Sequence, residues 1–256
     1  MTVFSCRFDR LPPALVHRFA TRQALKIISG MQNFDPVSTA QVVQAAQLGG
    51  ADYVDIACDP ALVSQAKTTG LPVCVSAVHA NAFTDCVRAG ADLLEIGNYD
   101  SLYAQGVQFS AGEILDMARQ TRQQFPDLVL TVTVPHHLPL DRQAELAEQL
   151  QNLGVDMLQT EGGRSTHPQQ GGILGLMAKA VPTLAATYTI SRAVSIPVLC
   201  ASGLSAVTAP LAIACGAVGI GVGSAVNQLQ DEMAMIATVR SLREALTPPV
   251  PHPVQV

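Results

Sequence analysis

The sequence predicts an α/β protein built as one closed (β/α)8 TIM barrel, and three observations carry that expectation. First, a phrase of glycine, small residue and apolar strand recurs at Gly50-Ala51-Asp52, Gly90-Ala91-Asp92, Gly154-Val155-Asp156 and Gly216-Ala217-Val218. Each copy follows a stretch of helical patterning, where the residue past the last turn takes the left-handed conformation that glycine adopts without Cβ strain. Second, four further strand candidates lie between these copies, so the chain divides into eight β/α units, the number that closes such a barrel. Third, only 14% of the 256 residues are charged and 48% are apolar, which suits parallel strands buried on both faces. No strand reads as an exposed edge, and this favours closure over an open doubly wound sheet.

The units follow in order. Residues 1–23 are an N-terminal extension, 24–246 the barrel and 247–256 a proline-rich tail. Strand one is Ala24 to Gly30, and Asp35-Pro36 caps a helix running to Leu48. Strand two, Tyr53 to Cys58, precedes a short helix ending near Gly70, and strand three is Pro72 to Val78, with Asn81 capping the next helix. Strand four is Leu93 to Asn98, followed by a longer loop and a helix at about 111–124. Strand five, Leu128 to Val134, is a β-branched run that ends at Pro135-His136-His137, and Asp141 opens the helix after it. Strand six is Met157 to Gly162, with a polar loop and then a helix from Ile173 to Val194 broken near Pro182. Strand seven, Pro197 to Ser202, leads to a helix at 206–215, and strand eight, Val218 to Gly223, leads to the last helix.

Composition narrows the function classes. A net charge of −5 and an isoelectric point near 5.6 give no electrostatic reason to expect nucleic acid or an anionic membrane as partner. Ala193 to Gln230 holds no Asp, Glu, Lys or Arg, but Pro197, Ser202, Gly203, Pro210 and the Gly216–Gly223 cluster interrupt it, so it reads as buried strands and loops. The N-terminus lacks the apolar core of a signal peptide. Six cysteines without a CxxC pair read as free thiols of a reducing cytoplasm. A homo-oligomer is compatible with the low surface charge.

In such barrels the active site lies where strands run into their following loops. Strands seven and eight end in Ser202-Gly203 and Gly221-Val222-Gly223-Ser224. These small residues expose backbone N–H groups that hold a phosphate, and Ser202, Gly203, Gly221, Gly223 and Ser224 are the expected phosphate ligands. No basic residue occurs between Arg192 and Arg240, so the anion is expected to rest mainly on backbone. Glu161, at the end of strand six, is the leading catalytic candidate, because a carboxylate at the mouth of an apolar barrel is poorly solvated and suited to proton transfer. Lys26, His79 and Glu95 are candidate assistants, with Lys26 also fitting a mid-barrel ion pair. Asp55, Asn98, His136, Gly162 and Gly163 are the expected substrate contacts. Strand alternation puts Glu95 and Gly97 on one face and Ile96 and Asn98 on the other. Asp55, His79, Glu95 and one of the two histidines offer metal donors, but their spacing matches no metal motif, and no metal site is assigned.

Lys26-Ile27-Ile28-Ser29-Gly30, Asn33-Phe34-Asp35, Asp55-Ile56-Ala57, Glu95-Ile96-Gly97-Asn98-Tyr99-Asp100, Thr133-Val134-Pro135-His136 and Gln159-Thr160-Glu161-Gly162-Gly163 together resemble the family of hypothetical chloroplast reading frames of cyanobacteria and algal plastids. The resemblance spans about 24–243 and implies a cyanobacterial or plastid origin, hence cytosol or stroma, without implying an activity. Strands seven and eight are more loosely similar to phosphate-binding barrels such as flavin mononucleotide (FMN) oxidoreductases, thiazole synthases and sugar-phosphate epimerases. The N-terminal third is similar in layout to N-acylmannosamine-6-phosphate epimerases, but Val73-Cys74-Val75-Ser76 stands where those enzymes carry a strand-three lysine. The expected function is an enzyme acting on a small phosphorylated metabolite, of isomerase, lyase or synthase type. An FMN-dependent oxidoreductase and a non-catalytic phosphometabolite-binding or scaffold protein are the alternatives.

Overall fold

A computed structural model describes residues 10–103, 105–162 and 168–247. Eight parallel strands close in sequence order: β1 (Ala24–Ile28), β2 (Tyr53–Ala57), β3 (Val73–Ala77), β4 (Leu93–Ile96), β5 (Val129–Thr133), β6 (Met157–Gln159), β7 (Val198–Ala201) and β8 (Gly219–Val222). The seam between β1 and β8 pairs Ala24 with Gly219 and Lys26 with Gly221. A Cβ on Gly219 would sit 2.3 Å from the Ala24 carbonyl oxygen, so this seam closes only around a glycine. The stretch between Ala193 and Gln230 that carries no charge forms β7 and β8, both buried.

The recurring phrase does the two jobs its residues suggest. Gly50, Gly90, Gly154 and Gly216 all hold positive φ, 86°, 103°, 94° and 117°, which turns each helix end back toward its strand. Its aspartates have a structural task that the periodicity alone did not disclose. Asp52, Asp92 and Asp156 accept the backbone N–H of Leu25, Val73 and Leu130 at 2.7, 2.8 and 2.9 Å, and each donates its own N–H to the carbonyl of the same residue. These clamps join β1 to β2, β3 to β4 and β5 to β6 at the end where the strands begin. A base neutralises each carboxylate: Arg18 and Arg243 at Asp52, Lys67 at Asp92, Arg10 and Arg122 at Asp156.

Alternation sorts the strands into two apolar populations. Ile27, Val54, Ile56, Val75, Leu94, Val132, Leu158 and Ile220 face outward and pack under the helices. Ala24, Tyr53, Cys74, Leu93, Val129, Met157 and Leu199 face inward and form the floor. Residues 13–20, placed by sequence in an N-terminal extension, form a helix (Pro13–Ala20) whose Leu15 and Phe19 cover that floor.

One helix departs from expectation. Residues Gly172–Ala193 run unbroken through Pro182. An interior proline costs a helix roughly 3 kcal/mol, but Thr183, Thr187 and Ile190 are buried against the barrel, and Thr183 bonds both Thr160 and the Ala201 carbonyl. Tertiary packing therefore carries the helix across the proline. By length and composition this helix would suffice to cross a membrane, although here its threonine face lies on β6 and β7. The five described cysteines are free.

If the aspartate clamps hold the strand starts, Asp156→Ala removes the side-chain acceptor of the Leu130 N–H and the carboxylate partner of Arg10 and Arg122. It should destabilise by about 1–3 kcal/mol in urea unfolding, whereas Asp85→Ala, which removes an exposed pair with Arg88, should change stability by under about 1 kcal/mol. Equal effects would refute the clamp.

Candidate active site

Above the apolar floor the interior turns polar. Lys26, Asp55, Ser76, Glu95, Thr131 and Gln159 occupy the next inward positions of β1 to β6, with Thr133 one inward position further along β5, and all are buried. The Lys26 ammonium lies 3.0 Å from Asp55 Oδ2, donates to Gln159 Oε1 at 2.9 Å and pairs closely with Glu95 Oε2. Glu95 Oε1 accepts from Thr133 and from Gln159 Nε2, at 3.1 and 2.6 Å. Asp55 accepts from Ser76 and from Asn98 Nδ2, at 2.6 and 2.7 Å. One ammonium thus faces two carboxylates in a medium that opposes isolated charge. Asp55 and Glu95 hold Lys26 protonated against the effect of burial. Burial pushes Glu95 up to about 7, with Asp55 adding and Lys26 opposing. Lys26, Asp55 and Glu95, expected by sequence to meet the substrate, lie beneath the cavity rather than on its wall.

Asn98 faces this layer, although strict alternation assigned it to the opposite side from Glu95. The reason is local: Gly97 at φ 155° and Asn98 at φ 62° reverse the chain where β4 ends. Gly97 also lies so near Thr133 that a Cβ there would sit 2.1 Å from its hydroxyl.

A cavity of about 170 Å³ opens over this layer at the ends of the strands. One side is formed by Ser202, Gly203 and Leu204 after β7 and by Gly223, Ser224 and Ala225 after β8. The N–H groups of Gly203 and Leu204 have no acceptor among the described residues, and those of Ser224 and Ala225 begin a single helical turn, Ser224–Asn227. Ser202 holds φ 76°, which is unfavourable for a residue with a Cβ and belongs with strained backbone at binding sites. Gly221 is placed differently from the sequence expectation: it faces the barrel interior, where a Cβ would meet Ala201, Gln159 and Ile28. The expectation of an anion held by backbone alone also changes, because Lys179 enters the cavity wall from the helix Gly172–Ala193.

Glu161, just past β6, lines the same cavity. Its Oε1 accepts from Tyr103 Oη, and from the backbone N–H of His136 at 3.1 Å, with His136 Nδ1 also at 3.1 Å. Its Oε2 is buried and has no hydrogen-bond partner among the described residues. The hydrogen bond to Glu161 raises the pKa of His136, while burial and the Glu161 charge push that of Tyr103 up. Tyr103 sits between His136 and His137, with ring centroids 5.0 and 5.7 Å away. Asp100 adds a second carboxylate and accepts from Ser202 Oγ at 3.1 Å.

His79 is exposed and outside the cavity wall. Gly162 lets the chain pass Pro182, whose Cβ would lie 2.9 Å from a Cβ at that position. Gly163 is outside the described residues. Tyr103, Asp100, Gln159 and Lys179 were missed as site residues. Lys179 had a readable signal, as the sole Lys or Arg between Arg164 and Arg192 in an otherwise apolar helix. Tyr103 had none, since it reaches Glu161 from the helix Asp100–Tyr103 in the loop after β4.

A family model described as "Protein of unknown function (DUF561)" matches residues 12–249. The "Uncharacterized protein ycf23" of Cyanophora paradoxa is 42% identical over 222 residues, covering 84% of this chain and 89% of the relative. Its namesake from Pyropia yezoensis is 38% identical over 229 residues, covering 89% and 84%. The resemblance to chloroplast reading frames is thereby borne out. Among solved structures, tryptophan synthase from M. tuberculosis aligns with a TM-score of 0.64 at 15% identity, over 93% of this chain and 99% of that one. A 3-hexulose-6-phosphate synthase aligns at 0.60 and 16%, over 88% and 100%. Thiamine phosphate pyrophosphorylase from Pyrococcus furiosus aligns at 0.57 and 17%, over 88% and 96%. At these identities the likeness establishes the barrel alone.

Two outcomes test the buried layer. Lys26→Met strands two carboxylates and should destabilise by about 3–5 kcal/mol in urea unfolding. Glu95 binds its proton more tightly folded than unfolded, so its contribution is present below the ordinary carboxyl range and fades as pH rises from 4.5 toward about 7. Wild type should lose on the order of 3 kcal/mol over that window through this group. Glu95→Gln should lack that slope, and identical slopes would contradict the assignment.

Proposed function

The chain belongs to the DUF561 family of proteins of unknown function, and we propose that its barrel is an enzyme acting on a small phosphorylated metabolite. The observation that carries this reading is one cavity lined by two chemically different sets of groups. The N–H groups of Gly203, Leu204, Ser224 and Ala225, with Lys179 on the same wall, suit the oxygens of a phosphate. Glu161 is fixed through Oε1 while Oε2 is left to meet the ligand.

A phosphate anchored on the first set delivers the carbon skeleton to Glu161, whose position suits acid–base work beside a carbonyl or hydroxyl group. Isomerase, lyase and synthase chemistry share that requirement. Tyr103 and His136 orient the carboxylate, and Asn98 and Gln159, held by the buried layer, line the same cavity. The cavity volume, about 170 Å³, supports a ligand smaller than a flavin nucleotide, since pockets for drug-sized molecules run to roughly 300–1,000 Å³.

Thermal-shift screening of phosphorylated sugars, polyols and small acids against their unphosphorylated counterparts tests the reading. Phosphorylated compounds alone should stabilise the protein, Lys179→Met should weaken them about tenfold, a change of about 1.4 kcal/mol, and Glu161→Gln should retain binding while abolishing turnover. Equal stabilisation by both members of each pair would overturn it.

A further inference from the structure

Two groups of potential metal donors occur among the described residues, and they differ in one decisive respect. Asp55, Cys74 and Glu95 form the first, and there the Lys26 ammonium already stands between the carboxylates. The second is Asp100, His136 and Glu161, which brings one donor atom from each residue within 4.8 Å of the others at the cavity. Here one oxygen of a 96%-buried carboxylate, Glu161 Oε2, has no hydrogen-bond partner among the described residues. A buried anionic oxygen without a donor is unfavourable.

We propose that Asp100, His136 and Glu161 bind a divalent transition-metal cation at the mouth of the barrel. An imidazole beside carboxylate oxygens selects zinc, manganese or iron over magnesium and calcium, which prefer all-oxygen sets. One donor atom from each of the three residues lies within 4.8 Å of the others, against a span of about 4.2 Å across an ion with bonds of about 2.1 Å. Coordination would use Glu161 Oε2, the oxygen without a hydrogen-bond partner among the described residues, and His136 Nδ1 freed of its hydrogen bond to Oε1. Tyr103 Oη and the His136 backbone N–H already orient Glu161 through Oε1, the outer support that ligating carboxylates commonly have.

Three protein ligands leave coordination positions facing the cavity, the arrangement of a catalytic rather than a structural site. This consequence rests on the function proposed above; the binding itself does not. The cation would grip a carbonyl or hydroxyl oxygen of the phosphorylated ligand, and water on the cation would take over the acid–base work, since both oxygens of Glu161 would then be engaged.

Cobalt(II) titration of the metal-free full chain, followed by its visible absorption bands and by calorimetry, tests the site. One equivalent should bind and be displaced by zinc(II), and Glu161→Gln, His136→Ala and Asp100→Asn should each lower affinity at least about tenfold. His17→Ala, an exposed control, should not. Circular dichroism and inorganic phosphate binding report whether each variant keeps its fold and its anion side. Absence of stoichiometric binding by wild type, or binding indifferent to all three ligand variants, would overturn the site. Phosphate binding without cobalt binding would refute the metal and leave the proposed function standing, whereas cobalt binding without phosphate binding would do the reverse.

Discussion

A single buried ammonium between two carboxylates governs the upper half of this barrel. Lys26 reaches β2 through Asp55, β4 through Glu95 and β6 through Gln159, so one side chain from β1 ties three other strands across the interior. Each partner then fixes a further group: Asp55 holds Ser76 and Asn98, and Glu95 holds Thr133 and the Gln159 amide. Buried charges of this kind add little net stability compared with a well-packed apolar core, but removing one partner is costly. Their value here is geometric, since the network orients Asn98 and Gln159, which line the cavity, and supports the reversed backbone at Gly97 and Asn98.

The two ends of the strands serve different ends. Where the strands begin, the phrase aspartates Asp52, Asp92 and Asp156 clamp neighbouring strands and are neutralised by bases, and Leu15 and Phe19 cover the apolar floor. In the fourth copy Val218 replaces the aspartate and joins that floor. Where the strands finish, the N–H groups of Gly203 and Leu204 and the Oε2 of Glu161 have no hydrogen-bond partner among the described residues. This division matches the general separation in such barrels of stability at one face from chemistry at the other.

Most of the architecture was legible because it depends on local signals. The glycine phrase and strand periodicity located all eight strands, and ranking polar residues by their place at strand ends pointed to Glu161, Asn98 and Ser202, which all line the cavity. What escaped arises from non-local packing or local distortion. Asn98 turns inward because Gly97 breaks the period of two, and Gly221 is small because Gln159, Ala201 and Ile28 converge on it. Lys179 and Tyr103 come from a helix and a loop whose approach to the cavity is set by tertiary packing. Pro182 stayed within its helix because Thr183 and Thr187 anchor the following turns.

The central claim is that this cavity combines a set of anion-binding amides with a fixed carboxylate, and a crystal structure of the full chain grown with inorganic phosphate tests it most directly. The account predicts a phosphate accepting hydrogen bonds from the N–H groups of Gly203, Leu204 and Ser224, with Lys179 beside it and Glu161 lining the same cavity. A phosphate bound only elsewhere, or a cavity closed by side chains between Gly203 and Glu161, would contradict it.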